Sequence, residues 1–474
     1  MNRRTFLTAA ASSLALSARQ YSGPPAGHHV PDPSLPPRPN VIWVIADQFR
    51  AQALSRNGDP NARTPNLERA EINGVSFTQN LSGFPLCCPF RGSMLTSRYP
   101  HECVPGHEYP LPAGQPTIAD VFNAHGYDTA YFGKWHLGGF HETSERAAFF
   151  ITDPARRGNF RQWIGYENNN SQWDCWVHGG SGKDAFHYRL PGYETDALTD
   201  LFINYIKEQK GQTKPFFAVL SVQPPHDPYV APAQFMANYN PARIQLRENV
   251  AAVGRIREQA RRDLAGYYAQ IENLDWNYGR VIQTLEDTGQ LQNTHILFFS
   301  DHGDMHGSHG MFRKTNPYEE AIRTPMILSG GQSVYDGWKD GRKPVLSNHV
   351  DIAPTTLGLC GMEKPDWMRG TDYSHYRIDK PAPGPEPDSA YLQLVVPSGH
   401  FNSVNTPYRG LVTKDGWKLV CTENFVWLLF NLNEDPYEEA NQAQNNEYRT
   451  ERKRLLTRLR QWVTSTEDRF TLPD

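Results

Sequence analysis

Six consecutive apolar residues, VIWVIA at Val41–Ala46, stop abruptly at Asp47 and Gln48. A strand with one wet face alternates polar and apolar residues. A run of strand length without alternation is buried on both faces, as in parallel sheets covered by helices. Further strands are expected at Thr129–Phe132, Phe216–Val222 and His295–Ser300. Helical patterns lie between them, around Asn66–Ile72, after Pro89, at Thr117–His125, near Glu194–Glu208 and near Arg255–Leu285. Strands spaced by helices predict an α/β fold, a large mostly parallel sheet sandwiched by helices, over 40–380. From Pro381 the texture changes. The turn-rich KPAPGPEPDS precedes short strand candidates at Ala390–Val395, Tyr408–Val412, Trp417–Cys421 and Val426–Phe430, then a helix with Leu455, Leu456, Leu459, Trp462 and Val463 on one face. Residues 381–474 therefore read as a smaller C-terminal α+β subdomain carrying an antiparallel sheet. The basic run ERKRLLTRLR in that helix reads as a solvated face over the apolar stripe.

A chain of 474 residues has ample material for a core of this size. Its 47 basic and 51 acidic residues leave a formal charge of −4, so no overall field favours nucleic acid or an anionic membrane. Affinity for an anionic substrate must be local. The opening MNRRTFLTAAASSLALSARQ pairs Arg3 and Arg4 ahead of a weakly apolar, Ala-rich run, the order of a twin-arginine signal peptide, here assigned to 1–18. Residues 19–39 form a linker with seven prolines between 23 and 39. No later segment supplies about 18 consecutive apolar residues, so no stable membrane insertion is expected. The expected location is periplasmic or secreted, with the twin-arginine export machinery as a partner. The six cysteines, Cys87, Cys88, Cys103, Cys175, Cys360 and Cys421, make neither a disulfide framework nor a CxxC zinc pattern. Adjacent Cys87 and Cys88 could form only a strained vicinal bond.

Open α/β sheets bind ligands beyond the carboxyl ends of their strands. Asp47 and Gln48 follow one apolar run, and Asp301 and His302 follow another, HILFFS. If those strands are neighbours, the four donors converge. Two carboxylates plus an amide oxygen suit Ca²⁺ or Mg²⁺ better than zinc, with His302 softening the preference.

In PLCCPFRGSMLTSRYPH, Cys87, Pro89 and Arg91 form Cys-x-Pro-x-Arg, continued by Leu95, Thr96 and Arg98. This resembles the signature of the type I sulfatases, in the alkaline-phosphatase-like superfamily, whose first motif cysteine is converted to formylglycine. Over nearly all of residues 38–445 further segments stand in that family's order and approximate spacing: RPNVIWVIADQ, TPNLERAEINGVSFTQN, YFGKWHLGG, QPPHDPY, SDHGDMHGSHGMFRKTNPYEEAIRTPMIL, DIAPTTLGLCG and FNLNEDPYEEAN. The resemblance implies that Cys87 becomes formylglycine and that Asp47, Gln48, Asp301 and His302, with residue 87, hold Ca²⁺ or Mg²⁺. It implies that Arg91 hydrogen-bonds the aldehyde hydrate, Lys134 clamps sulfate and His136 orients or deprotonates the hydrate. His226 would be a general acid near the leaving oxygen, and Lys314 would contact sulfate and share that role. One hydroxyl of the hydrate attacks sulfur; the other later loses its proton, so that the covalent sulfate is expelled as the aldehyde re-forms. The expected partners are a sulfated small molecule or saccharide and a formylglycine-generating maturation enzyme.

Two positions depart from the common pattern. Phe90 stands where Ser or Ala is usual, and Gln48 replaces a second Asp. Gln48 with His302 resembles the choline-sulfatase and phosphonate-monoester-hydrolase branch, which keeps a phosphonate monoester or phosphodiester as an alternative substrate. A sugar-binding protein that keeps the fold without catalysis is a second alternative, but it would need disabled anchors, and Cys87, Arg91, Asp47 and Asp301 are all present. His306 and His309 read equally as supports of the site or as loop residues. Arg161–Gly180, dense in Trp, Tyr and Asn, reads equally as a sugar-stacking surface or as a packed loop.

Overall fold

The computed structural model describes residues 38–144, 146–331, 339–400 and 403–474. The expected signal segment and all but the last two residues of the linker lie outside them. Strand β1 (Asn40–Ala46) is buried along its whole length, as its unbroken apolar run requires. Ile42, Val44 and Ala46 enter the core on one face of the sheet, and Val41, Trp43 and Ile45 the core on the other.

The remaining strands of this sheet are β2 (Val75–Phe77), β3 (Asp128–Lys134), β4 (Gln162–Tyr166), β5 (Trp176–Gly179), β6 (Phe186–Arg189), β7 (Phe216–Ser221), β8 (Thr294–Ser300), β9 (Met326–Gly330) and β10 (Gly341–Lys343). Their order is β10-β2-β9-β8-β1-β7-β3-β4-β5-β6. The centre, β8-β1-β7-β3-β4, is parallel throughout. Antiparallel pairings of β9 with β8 and β2, and of β5 with β4 and β6, extend it on both sides. The carboxyl ends of β8, β1, β7 and β3 thus lie side by side along one edge.

Helices α1 (Pro65–Ile72), α4 (Glu194–Glu208) and α5 (Gly254–Asp287) cover one face through Leu67, Leu198, Phe202, Leu264 and Ile271. Helices α2 (Cys87–Thr96), α3 (Ile118–Ala124) and α6 (Ile352–Leu359) cover the other through Phe90, Met94, Phe122 and Leu357. Every residue of α2 is buried, so the helix is held on all sides and its first turn is fixed against the sheet edge.

A second sheet, β11 (Ser389–Leu394), β12 (Tyr408–Thr413), β13 (Trp417–Cys421) and β14 (Val426–Asn431), is an antiparallel meander. One face packs on Leu81, Phe84 and Leu86, the approach to α2, and the other on Leu455 and Leu459 of α7 (Arg449–Ser465). Through that approach the C-terminal sheet helps fix the position of residue 87.

The aromatic segment at 161–180 resolves into β4, β5 and their connection. Trp163 and Tyr166 are buried, and Arg157 lies 4.8 Å over the Trp163 ring. Trp173 is exposed and meets Tyr193 edge-on. Two of the four large rings, Trp163 and Tyr166, are therefore packing anchors. All six cysteines are free and buried.

Candidate active site

Cys87 is the first residue of α2. Its Sγ lies 3.6 Å from Asp47 Oδ1, 3.3 Å from His302 Nε2, 3.3 Å from Lys314 Nζ and 3.9 Å from Lys134 Nζ. The strand order accounts for the convergence: β1 delivers Asp47 and Gln48, β8 delivers Asp301 and His302, β3 ends at Lys134, and His226 follows β7. At the end of β3, Gly133 takes φ +107, and a Cβ there would lie 1.9 Å from the Ser221 carbonyl oxygen. Only glycine lets β3 and β7 approach so closely beside Lys134.

Arg91, one turn along α2, braces the centre from below. Its Nη2 donates to Asp47 Oδ2 at 3.2 Å and Asp301 Oδ2 at 3.4 Å, and its Nη1 to the Lys134 carbonyl at 2.8 Å and Ser221 Oγ at 2.9 Å. Lys134 Nζ lies 2.7 Å from Asp47 Oδ2. Asp301 Oδ1 accepts the backbone N–H groups of Gln48 and His302, both at 2.9 Å. His302 Nδ1 donates to the Gly303 carbonyl at 3.0 Å, which leaves the Nε2 lone pair directed at the carboxylates and residue 87.

Gln48 takes a left-handed φ of 70°. Its Nε2 donates to Asp304 Oδ2 at 2.6 Å, so its Oε1 faces inward and accepts from Lys314 Nζ at 3.0 Å. Asp304 is fixed in turn by Tyr229 Oη at 2.5 Å and by the N–H groups of His306 and Arg313 at 3.0 Å each. None of Asp304, Tyr229 or Ser221 stands out in the sequence; the only hint is the closeness of Asp304 to the Asp301–His302 pair. His306 is buried between the Tyr229 and Tyr267 rings, below Asp304, and so supports the site. His309 stacks on Tyr318 at 4.2 Å instead.

The electrostatics follow from complete burial. Burial pushes the Asp47 carboxyl up, but Lys134, His226, Lys314 and Arg91 outweigh it and hold the group well below its ordinary range. Burial and the Asp47 charge push Asp301 up. Two carboxylates confined together cannot both be comfortably ionised until a further cation joins them. Burial, then Asp47, pushes the Cys87 thiol up to about 11, so it is no thiolate nucleophile at neutral pH. Lys134 and Lys314 are raised despite burial, because carboxylates and residue 87 surround them. His136 is held well below its ordinary value by burial and Lys134, and His226 is lowered to about 4 by burial and Lys314. Its Nδ1 bonds the Asp227 carbonyl at 2.8 Å.

Donor atoms of Asp47, Cys87, Asp301 and His302 lie within 4.8 Å of one another. With the inward amide oxygen of Gln48, this oxygen-rich set fits a hard divalent cation. All ten residues marked by the sequence gather at this edge; His136, within the field of Lys134, Arg91 and Asp47, also meets His107 edge-on at 5.6 Å.

A centrally parallel sheet with an acidic centre at its strand ends is the arrangement expected of the alkaline-phosphatase-like hydrolases. The Sulfatase family model matches residues 39–362, and the model for the C-terminal region of N-sulphoglucosamine sulphohydrolase matches 307–465. The chain is 31% identical over 449 residues to an ulvan-active sulfatase of Formosa agariphila, spanning 93% of this chain and 84% of that protein. It is 26% identical over 511 residues to an N-acetylglucosamine-6-O-sulfatase of Bacteroides thetaiotaomicron, spanning 91% and 87%. The crystal structure of yidJ from Bacteroides fragilis superposes with a TM-score of 0.80 at 27% identity, over 92% of this chain and 97% of that one. The chain belongs to the sulfatase family and is a sulfuric ester hydrolase.

Proposed function

We propose that the enzyme hydrolyses a sulfate monoester on a saccharide, with Cys87 matured to formylglycine and Ca²⁺ or Mg²⁺ held by Asp47, Gln48, Asp301, His302 and residue 87. The observation that carries this reading is residue 87 itself. It is pinned at the first turn of a fully buried helix, between two ammonium groups and two carboxylates, as a thiol that burial keeps protonated. The names of the ulvan-active and N-acetylglucosamine relatives support a sulfated sugar as substrate.

The cation supplies neutralisation of sulfate oxygens, and the hydrated aldehyde supplies a hydroxyl nucleophile. The side chains supply the rest. Lys134 and Lys314 hold the sulfate oxygens and balance the charge that develops on them. Arg91 fixes both carboxylates against α2, and the Asp304–Gln48 bond keeps an amide oxygen turned inward. His136 orients residue 87 or takes its proton. His226 is neutral before substrate arrives; beside a bound anion it takes up the proton that it delivers to the leaving sugar oxygen. Maturation in the cytoplasm, followed by export of the folded protein through the twin-arginine route, fits the order in which Cys87 must be oxidised and carried out.

The test is mass spectrometry of the peptide holding residues 87–91 from protein made in its native host, with turnover of sulfated saccharides measured on the same sample. The expected result is CH2SH replaced by CHO at Cys87 and desulfation that Cys87→Ser abolishes. Active enzyme with only unmodified cysteine would refute the nucleophile. An aryl phosphonate ester is the comparison substrate, because Gln48 and His302 also stand in the phosphonate-hydrolase arrangement; faster turnover of it than of aryl sulfate would reassign the substrate class.

A further inference from the structure

Beside the catalytic centre lies a second cluster of different chemistry. Cys88, His107 and His136 bring a thiol sulfur and two imidazole nitrogens within 4.8 Å of one another. Both ring nitrogens of His136 are buried without a hydrogen-bond partner, and so is Nδ1 of His107. His136 is only 3% exposed. A buried nitrogen left unpaired costs about 1–3 kcal/mol, and each of the two rings carries at least one.

One residue organises the group. Glu108, held at a left-handed φ of 61°, donates its backbone N–H to Cys88 Sγ at 3.4 Å. Its carboxylate Oε1 lies 3.8 Å from His107 Nε2. At that distance the carboxylate acts on the His107 ring by charge alone, its oxygens being held by the Glu142 N–H at 2.7 Å and by His141 Nδ1 at 2.8 Å. Burial outweighs the N–H donated to sulfur and keeps Cys88 a thiol in the free protein, so the site rests on the convergence of the three side chains. A thiol contributes little to holding a sulfate anion, which calls for cationic donors. What Cys88, His107 and His136 share is affinity for a borderline cation.

We propose that Cys88, His107 and His136 form a zinc-type site, separate from the oxygen-rich centre, that takes a Zn²⁺ or Co²⁺ ion with a fourth position left for water. Binding displaces the Cys88 proton and forms one S–metal and two N–metal bonds, with no redox change. An ion there withdraws His136 from residue 87, so occupancy inhibits the enzyme. That consequence rests on the catalytic reading of His136; the metal site does not.

Two measurements test it. In full-length Cys87→Ser protein with excess Ca²⁺, added Co²⁺ should give a thiolate-to-cobalt charge-transfer band. The band should vanish when Cys88→Ser is added, and His107→Ala should weaken cobalt binding by about tenfold or more. In matured enzyme with excess Ca²⁺, Zn²⁺ should inhibit turnover, and His107→Ala should need about tenfold more zinc while retaining activity without it. Cobalt binding without the band, or a band that survives Cys88→Ser, overturns the site. A Cys88-dependent band without zinc inhibition overturns the consequence for His136. If Cys87 proves unmodified and no sulfate ester turns over, the functional reading fails while the cobalt band still decides the metal site.

Discussion

Replacing Arg91 by methionine keeps much of the side-chain volume and removes the guanidinium. In the native protein that group lies in a wholly buried environment and makes four contacts, to Asp47, Asp301, the Lys134 carbonyl and Ser221. The two neutral contacts are cheap to lose, because Ser221 Oγ already donates to the Lys134 carbonyl at 3.0 Å. The charged ones are not. Asp47 keeps Lys134 at 2.7 Å, but Asp301 is left with two backbone N–H groups, the His302 ring at 3.6 Å and, among the described residues, no Lys or Arg within salt-bridge distance. Removing one partner from a buried ion pair costs about 3–5 kcal/mol, and Arg91→Met is expected to lose that much stability in urea unfolding with chelator present. Arg91→Lys, which keeps the charge and loses the two-pronged geometry, should fall between the two proteins. Calcium should narrow the gap, since an ion bound at 100 times its dissociation constant adds about 2.7 kcal/mol and the variant carries one less competing positive charge. A metal-free Arg91→Met protein within about 1 kcal/mol of the parent would show that Arg91 does not brace the carboxylates.

His226→Gln should slow desulfation of a sugar sulfate by about 10²–10⁴-fold and affect a nitrophenyl sulfate far less, because a good leaving group needs no proton; equal losses on both substrates would remove His226 from the acid role. Asp304→Ala frees the Gln48 amide to turn and should weaken Ca²⁺ binding by about 10–100-fold, read by calorimetry, and unchanged affinity would mean that Gln48 is positioned by other contacts. Asp468 receives Arg409 Nε at 2.6 Å and Nη2 at 3.0 Å, with Tyr391 Oη at 2.9 Å. Burial pushes its carboxyl up, but Arg409 outweighs burial and lowers it from 3.8 to about 2. A depressed folded value stabilises above the unfolded one, so this contribution, about 1–2 kcal/mol after solvent screening, is present above pH 4 and lost as pH falls toward 2. Asp468→Asn should cost that amount at pH 7 and flatten the acid limb of the stability curve; an unchanged limb would assign the acid loss elsewhere.

What could be read from the chain depended on whether a residue's neighbours in space were also its neighbours in sequence. β1, β7 and β8 are buried on both faces, and that burial leaves unbroken apolar runs. Strands β2, β4, β5, β6, β9 and β10 go unread: they are short and flank β8, β1, β7 and β3, and β6, FHYR, and β10, GRK, carry no apolar run at all. β3 was expected to end at Phe132 and runs on to Lys134, because Gly133 gives no β-propensity signal yet lets the strand pass close to β7. The donors follow their strands directly, so Asp47, Gln48, Asp301 and His302 were legible. Asp304, Tyr229 and Ser221 act only through Gln48 and Arg91, and nothing in their local sequence records that.

The same distinction separates the two adjacent cysteines. On a helix, consecutive side chains point about 100° apart, so Cys87 and Cys88 cannot share one environment. Cys87 faces the strand ends and meets Asp47, His302 and Lys314. Cys88 faces the core and the Glu108 loop, where it meets His107 and His136. One helical step therefore sets an oxygen-rich centre and a nitrogen–sulfur cluster side by side, with His136 a member of the second and close enough to feel the charges of the first. A hard cation finds its donors only in the first and a borderline cation finds its preferred donors in the second, so calcium and zinc should act on this enzyme at different places and with opposite effects on turnover.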